Sequence, residues 1–236
     1  GHTNNGETAI SLRNAQGNST LNFNLFSNDI RNYTGELALG VVEIEGGDFT
    51  TTNGVIDVLY IYHANDGNAL QVFADGANTA GSGTTNFTMN VSMNAVNVPA
   101  TTPVFGSSIL LQNSGAIAGS NVNANYLVTN SSLLASATGT SRRTLTMNAR
   151  DSHNVCTQIQ GNTIAAGTGG TVASIAMSYS GTGNVRLQGM SGSGNGNAIS
   201  YLSANNTLSV AAESGPNVSI TSATCTVPTL PVGFPF

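Results

Sequence analysis

One short strand-like segment recurs seven times along this chain. Its copies are Ile10-Ser-Leu12, Val42-Glu-Ile44, Leu70-Gln-Val72, Ile109-Leu-Leu111, Leu145-Thr-Met147, Ile175-Ala-Met177 and Ile199-Ser-Tyr201, spaced 24 to 39 residues apart. Most copies are followed within a few residues by Asn, Gly or Ser, which is turn chemistry. Self-similarity at such a period is the mark of a repeat architecture, in which each unit buries its apolar face only against its neighbours.

A second, longer segment with period-2 alternation follows each copy. The seven are Leu21-x-Phe23-x-Leu25, Val58-x-Tyr60-x-Tyr62, Phe87-x-Met89-x-Val91-x-Met93, Tyr126-x-Val128, Val155-x-Thr157-x-Ile159, Val185-x-Leu187 and Val218-x-Ile220. Some units add a short third piece, as at Asn28-Asp-Ile30, Asn94-Ala-Val96 and Asn162-Thr-Ile164. Glycine-rich corners such as Thr34-Gly35, Asp66-Gly67, Thr138-Gly139 and 167–170 close the units. No stretch between these strands shows a helical period, so the helical crossovers of a doubly wound α/β sheet are not expected. A coil of two or three short strands per turn pairs each strand with its equivalent one turn later, ~4.8 Å along the axis. Seven such turns would make an all-β rod of roughly 30–35 Å.

A β-sandwich or jelly roll also uses short alternating strands and is the competing architecture. It would place tight two-residue turns between most strands, whereas Asn53-Gly54 and Asp66-Gly67 fall at unit boundaries. The repeat defines a domain over residues 7–225, between an N-terminal stretch 1–6 and a tail 226–236. Gly1-His2 reads as a remnant of tag cleavage, and the chain as a piece of a longer secreted protein. The tail contains Pro228, Pro231 and Pro235 and cannot form a central strand; it is expected to leave the coil, covering the last rung or starting a linker. The N-terminal edge shows no cap, and an open edge invites head-to-tail self-association.

Charge narrows the function. Only 7% of the 236 residues are charged and none is lysine, yet 39% are hydrophobic and spread evenly, which argues against disorder. Apolar runs are far shorter than the ~20 residues of a spanning helix, so no membrane span is expected. The net charge of −5 gives no basic face for nucleic acid. Arg142, Arg143 and Arg150 form the one local basic cluster and read as a solvated face. Solubility must come from Asn, Ser, Thr and Gly. Two cysteines, Cys156 and Cys225, are too few for a disulfide framework but could form one bond in an oxidising compartment. Cys156 should face outward if Val155 and Ile159 face in. The bond would span two rungs, so it requires the tail to fold back.

These units, notably Thr20-Leu-Asn-Phe-Asn-Leu-Phe-Ser-Asn-Asp-Ile30 and Val155-Cys-Thr-Gln-Ile-Gln-Gly-Asn-Thr-Ile164, resemble the right-handed parallel β-helix repeats of large bacterial surface proteins, adhesins and autotransporter-like passengers. The resemblance runs from about Glu7 to Cys225. It implies a right-handed coil of about seven rungs at the cell surface or secreted. Because pectin-degrading lyases, glycoside hydrolases and tailspikes share that architecture, it does not assign an activity. The longer third and fourth units should project loops around Asn78 to Thr84 and Ala95 to Phe105.

Catalytic constellations are sparse. A glycosidase needs two carboxylates about 5–9.5 Å apart. Glu43 and Glu45, expected to point outward from one strand, and Asp57 are the candidates; a solvated acidic face is the competing reading. A lyase would want acidic calcium ligands and a basic residue; Glu43, Glu45 and Asp48 are a weak calcium set, and Arg31 is the nearest base. Asp151-Ser152-His153 are neighbours in sequence rather than a triad, and zinc lacks ligands beyond His153 and Cys156. Gly181-Thr-Gly183 and Ser191 to Gly196 lack a phosphate-loop signature and a following helix, and read as corners. Threonines at 50–52, 84–85, 144 and 146 do not align as an ice-ordering ladder would require.

The sequence therefore predicts a non-catalytic extracellular β-helix without cofactor, a scaffold or adhesive segment of a larger bacterial surface protein. Its partners would be a glycan or a surface protein, met through exposed Asn, Thr, Tyr and Arg side chains. The alternative is a carbohydrate-active enzyme, a hydrolase or lyase, using the acids of the early rungs.

Overall fold

The computed structural model describes residues 8–15, 19–33, 37–44, 50–63, 68–75, 86–99, 107–114, 121–134, 143–150, 153–166, 173–180, 184–214 and 225–228. Strands dominate. The first three units each contain two: β1 (Thr8–Ala15) and β2 (Thr20–Tyr33), β3 (Leu37–Ile44) and β4 (Thr50–His63), β5 (Asn68–Asp75) and β6 (Asn86–Val98). The next two contain three: β7 (Ile109–Ser114), β8 (Asn121–Thr129) and β9 (Ser132–Leu134), then β10 (Leu145–Arg150), β11 (His153–Gln160) and β12 (Thr163–Ala165). The sixth has β13 (Ile175–Ser180), β14 (Asn184–Leu187), a helix α1 (Asn195–Asn205) and β15 (Thr207–Leu208), and β16 (Glu213–Ser214) opens a seventh.

Among the described residues the first strands form a seven-stranded sheet in the order β1-β3-β5-β7-β10-β13-β16. The second strands run β2-β4-β6-β8-β11-β14, with β9, β12 and β15 continuing beside the far half of β6. Every pairing in both sheets is parallel and joins one unit to the next. A sandwich of antiparallel hairpins is not what these strands build.

Parallel in-register pairing stacks like on like. Leu70, Ile109, Leu145 and Ile175 are partners in turn, and all are fully buried. Val72, Leu111, Met147 and Met177 form the next inward column. On the second sheet Ile56, Met93, Val128 and Ile159 do the same. Each side chain of this size contributes ~1.5–3 kcal/mol on burial. In the first unit Ile10, Leu12, Phe23 and Leu25 are only partly buried, because it has a neighbour on one side only among the described residues.

The second strands bend at one shared place. Ser27, Val58, Ala95, Asn130 and Gly161 all have positive φ, between 50° and 69°, and occupy equivalent positions in five successive units. A left-handed residue swings the backbone so that the next inward side chain lands on the second flank of the core. Beyond the bend in the later units stands an internal polar column. Asn162, 1% exposed, accepts from the Ser131 amide at 2.9 Å. Its own amide donates to the Val128 carbonyl at 3.0 Å and to Asn206 Oδ1 at 2.8 Å.

Ile199-Ser-Tyr201 is not the seventh first strand; it lies inside α1, and Glu213–Ser214 takes that place in the sheet. The run Ser191 to Gly196 therefore does lead into a helix, with Gly194 at its N-cap position. α1 buries Ala198 and Leu202 and rests Tyr201 on the core. The second unit is also shifted. Leu39 and Val41, not Val42 and Ile44, align with Ile10 and Leu12, and Thr52, Gly54 and Ile56 align with Leu21, Phe23 and Leu25. Ala95 to Val98 belong to β6 rather than to a projecting loop, while Asn78 to Thr84, Val218-x-Ile220 and 100–106 lie outside the described residues.

Candidate functional site

The outer face of the second sheet is where the fold organises polar chemistry. Before the bend, odd-numbered inward positions in β2 leave the even ones facing out, and parallel register repeats them from unit to unit. Asn22, Asn53, Asn90 and Asn125 consequently form one column. Their amides link head to tail: Asn53 Nδ2 donates to Asn22 Oδ1 at 2.9 Å, Asn90 to Asn53 at 2.9 Å and Asn125 to Asn90 at 2.8 Å. Such ladders occur where identical amides stack at strand spacing.

The neighbouring outer column holds Thr20, Thr51 and Thr88 in three successive units, then Asn123, Asn154 and Asn184. Threonines thus align at 20, 51 and 88, whereas Thr52 and Thr146 have Leu21, Met89, Leu110 and Ala176 as register partners. Nearer the bend, Asn94 Nδ2 donates to Asp57 at 2.8 Å, and Asn94 Oδ1 accepts from Thr129 at 3.1 Å and Asn130 at 2.8 Å. Phe26 and Tyr60 are the large apolar side chains exposed among the described residues, 40% and 41%. Arg31 bonds Asp29 at 2.7 Å and lies 5.0 Å above the Tyr62 ring, a cation–π contact. The Arg31 hydrogen bond draws the Asp29 carboxyl below its usual range, and Asp29 in turn raises Arg31.

The amide column ends at a covalent link. Cys156 follows Asn125 in register and is bonded to Cys225, with Cα atoms 5.8 Å apart and 69 residues between them. The segment 225–228 therefore folds back over the outer face. Val227 packs on Leu127 and Cys156, and its amide donates to Gln188 Oε1 at 2.9 Å. An open groove of about 740 Å³ flanks the segment on one side, lined by Thr129, Gln158, Gln160, Gln188, Asn205 and Val227 among others. A second, of about 450 Å³, lies on the other side, lined by Asn22, Asn53, Val55, Asn90, Ser92 and Pro228 together with Phe23 and Gly54.

Of the acids named from the sequence, Asp57 is the one whose side chain lies among the described residues. Asp57 belongs to β4 in the second sheet and is tied into the Asn94 ladder, whereas Glu43 belongs to β3 in the first sheet. Glu43 shares a register column with Asn14, Ala74, Asn113 and Ala149. The Glu43 side chain, Glu45 and Asp48 lie outside the described residues, as do Asp151, Ser152, Arg142 and the side chains of His153 and Arg150. Arg143 pairs with Glu213. Among the described residues no three His, Cys, Asp or Glu side chains are grouped to hold a metal, and no helix is long and apolar enough to cross a membrane. Comparison with protein-family models, curated proteins and solved structures finds no match to this chain.

The amide ladder and its grooves were missed in the sequence. The signal was present: Asn22, Asn53, Asn90 and Asn125 each precede an inward position. Misaligning the second unit on Val58-x-Tyr60-x-Tyr62 hid it.

Proposed function

We propose that this chain is a non-catalytic extracellular segment of a larger bacterial surface protein, a right-handed parallel β-helix of about seven rungs that acts as scaffold and adhesive surface. Right-handedness is the hand taken by nearly all parallel crossover connections. One observation carries the functional reading: the repeat is used to align uncharged amides and hydroxyls into continuous columns on one outer face, beside exposed Phe26 and Tyr60. Aligned groups of one kind serve a repetitive ligand, such as a glycan, better than a single reacting bond. The Cys156–Cys225 bond supports an oxidising compartment.

The test is a panel of polysaccharides incubated with purified protein and read for both products and retention. Retention without new reducing ends or unsaturated products supports an adhesive segment. Products would overturn the non-catalytic reading, and neither retention nor products would retire the adhesive part of it.

A further inference from the structure

We propose that the groove between the amide ladder and Pro228 is a binding site for a neutral oligosaccharide, read by Asn53, Asn90 and the Ser92 hydroxyl. This deepens the adhesive reading above and rests on it.

Three observations meet in this groove. First, Ser92 is fully buried, lines the groove, and its Oγ has no hydrogen-bond partner among the described residues. A buried hydroxyl left unpaired costs about 1–3 kcal/mol, so its retention calls for a partner that the described residues do not supply. Second, the ladder uses one N–H and one oxygen interaction of each amide, at Asn53 and at Asn90. The second N–H and the second lone pair of each remain outside it, one donor and one acceptor per rung. Third, the described residues of the lining include no charged side chain; the others are Asn22, Phe23, Gly54, Val55 and Pro228.

The chemistry of the ligand follows from these groups. A sugar hydroxyl is both donor and acceptor, as an amide pair and a serine hydroxyl are, so each can satisfy the other. Apolar Val55 and Pro228 suit the C–H face of a pyranose ring. The absence of a cation among the described lining residues disfavours uronic acids, sulfates and phosphates, which would lose water without gaining a charge partner. Repetition of the amides at the rung spacing of ~4.8 Å favours an extended chain over a single monosaccharide.

Calorimetry on the full chain with neutral cello-, xylo-, manno- and galacto-oligosaccharides, and with acidic oligogalacturonate, tests the site. One neutral series is expected to bind, and oligogalacturonate to bind more weakly. Ser92→Ala should weaken the neutral ligand about tenfold, the loss of one hydrogen bond of ~1.4 kcal/mol. The same change should leave the unfolding temperature unchanged or higher, since it deletes an unpaired buried group; a merely structural serine would not give that split. Asn53→Ala should also weaken binding, while Ser132→Ala, on an exposed position of β9, should not. Neutral-ligand binding that survives both Ser92→Ala and Asn53→Ala, or stronger binding of oligogalacturonate, overturns this groove and leaves the adhesive reading standing. Binding of no saccharide overturns both.

Discussion

The ring of Phe23 lies against Gly54, its register partner in the next unit, so closely that a Cβ on Gly54 would stand 2.0 Å from Cζ. The column then continues through Val91 and Tyr126, both buried. A large ring and a missing side chain alternate to fill one level of the core. Gly54→Ala should therefore destabilise by about 1–3 kcal/mol through overpacking. Adding Phe23→Leu should recover much of that loss in chemical denaturation. A simple sum of the two single effects would mean that the contact does not govern this level.

The bend makes Val58 an outlier, since a β-branched residue is held at φ 54°. Left-handed backbone costs a non-glycine residue about 1–2 kcal/mol, and Asn tolerates it best. Asn130 already occupies the equivalent position two units on. Val58→Asn should raise the denaturant midpoint by the equivalent of ~0.5–1 kcal/mol, part of the gain being offset by lost apolar contact. A lower midpoint would show that packing of the valine outweighs its strain.

Asn162 serves three consecutive units at once, through Ser131, Val128 and Asn206. Its replacement by alanine orphans a buried amide N–H and a carbonyl. The expected cost is at least about 2 kcal/mol. Hydrogen exchange should show the loss concentrated at Ser131 and Thr163, and unchanged protection there would contradict the assignment.

The Cys156–Cys225 bond closes a separation of 69 residues. In the chain-entropy description a loop of that length is worth about 4 kcal/mol. Reduction should lower the unfolding temperature and uncover Leu127, now 7% exposed beneath Val227. Calorimetry with and without reductant, paired with dye binding, reads both effects; identical traces would mean that the latch adds nothing.

Burial holds the Tyr201 phenol above its ordinary value, and its hydroxyl donates to the Gln188 carbonyl at 2.6 Å. A raised folded-state value means that the protonated form is favoured by folding. The contribution is complete below the unfolded value near pH 10 and is lost as pH climbs through the folded one. Stability should fall at strongly alkaline pH, and Tyr201→Phe should flatten that fall. An equally steep decline in the variant would place the alkaline sensitivity elsewhere.

Alternation in Leu70-Gln-Val72, Ile109-Leu-Leu111, Leu145-Thr-Met147 and Ile175-Ala-Met177 marked strands that pair with one another as expected. Inward Val155 and Ile159 likewise left Cys156 facing the tail. α1 was hidden because Asn195-Gly-Asn-Ala-Ile-Ser-Tyr-Leu has no side-chain cap or acidic first turn, and buries only Ala198 and Leu202.

Period-2 alternation and turn residues are local, so the sequence by itself determined the strands, their repetition and the absence of a charge-based surface. Register is not local. A shift of an odd number of residues exchanges the two faces of a strand, and units of unequal length offer several alignments with similar apolar matches. Only tertiary pairing chose Leu39 over Val42 and Thr52 over Val58. That choice stacked Asn22, Asn53, Asn90 and Asn125 into one ladder, because hydrogen bonds between strands fix which side chains become neighbours.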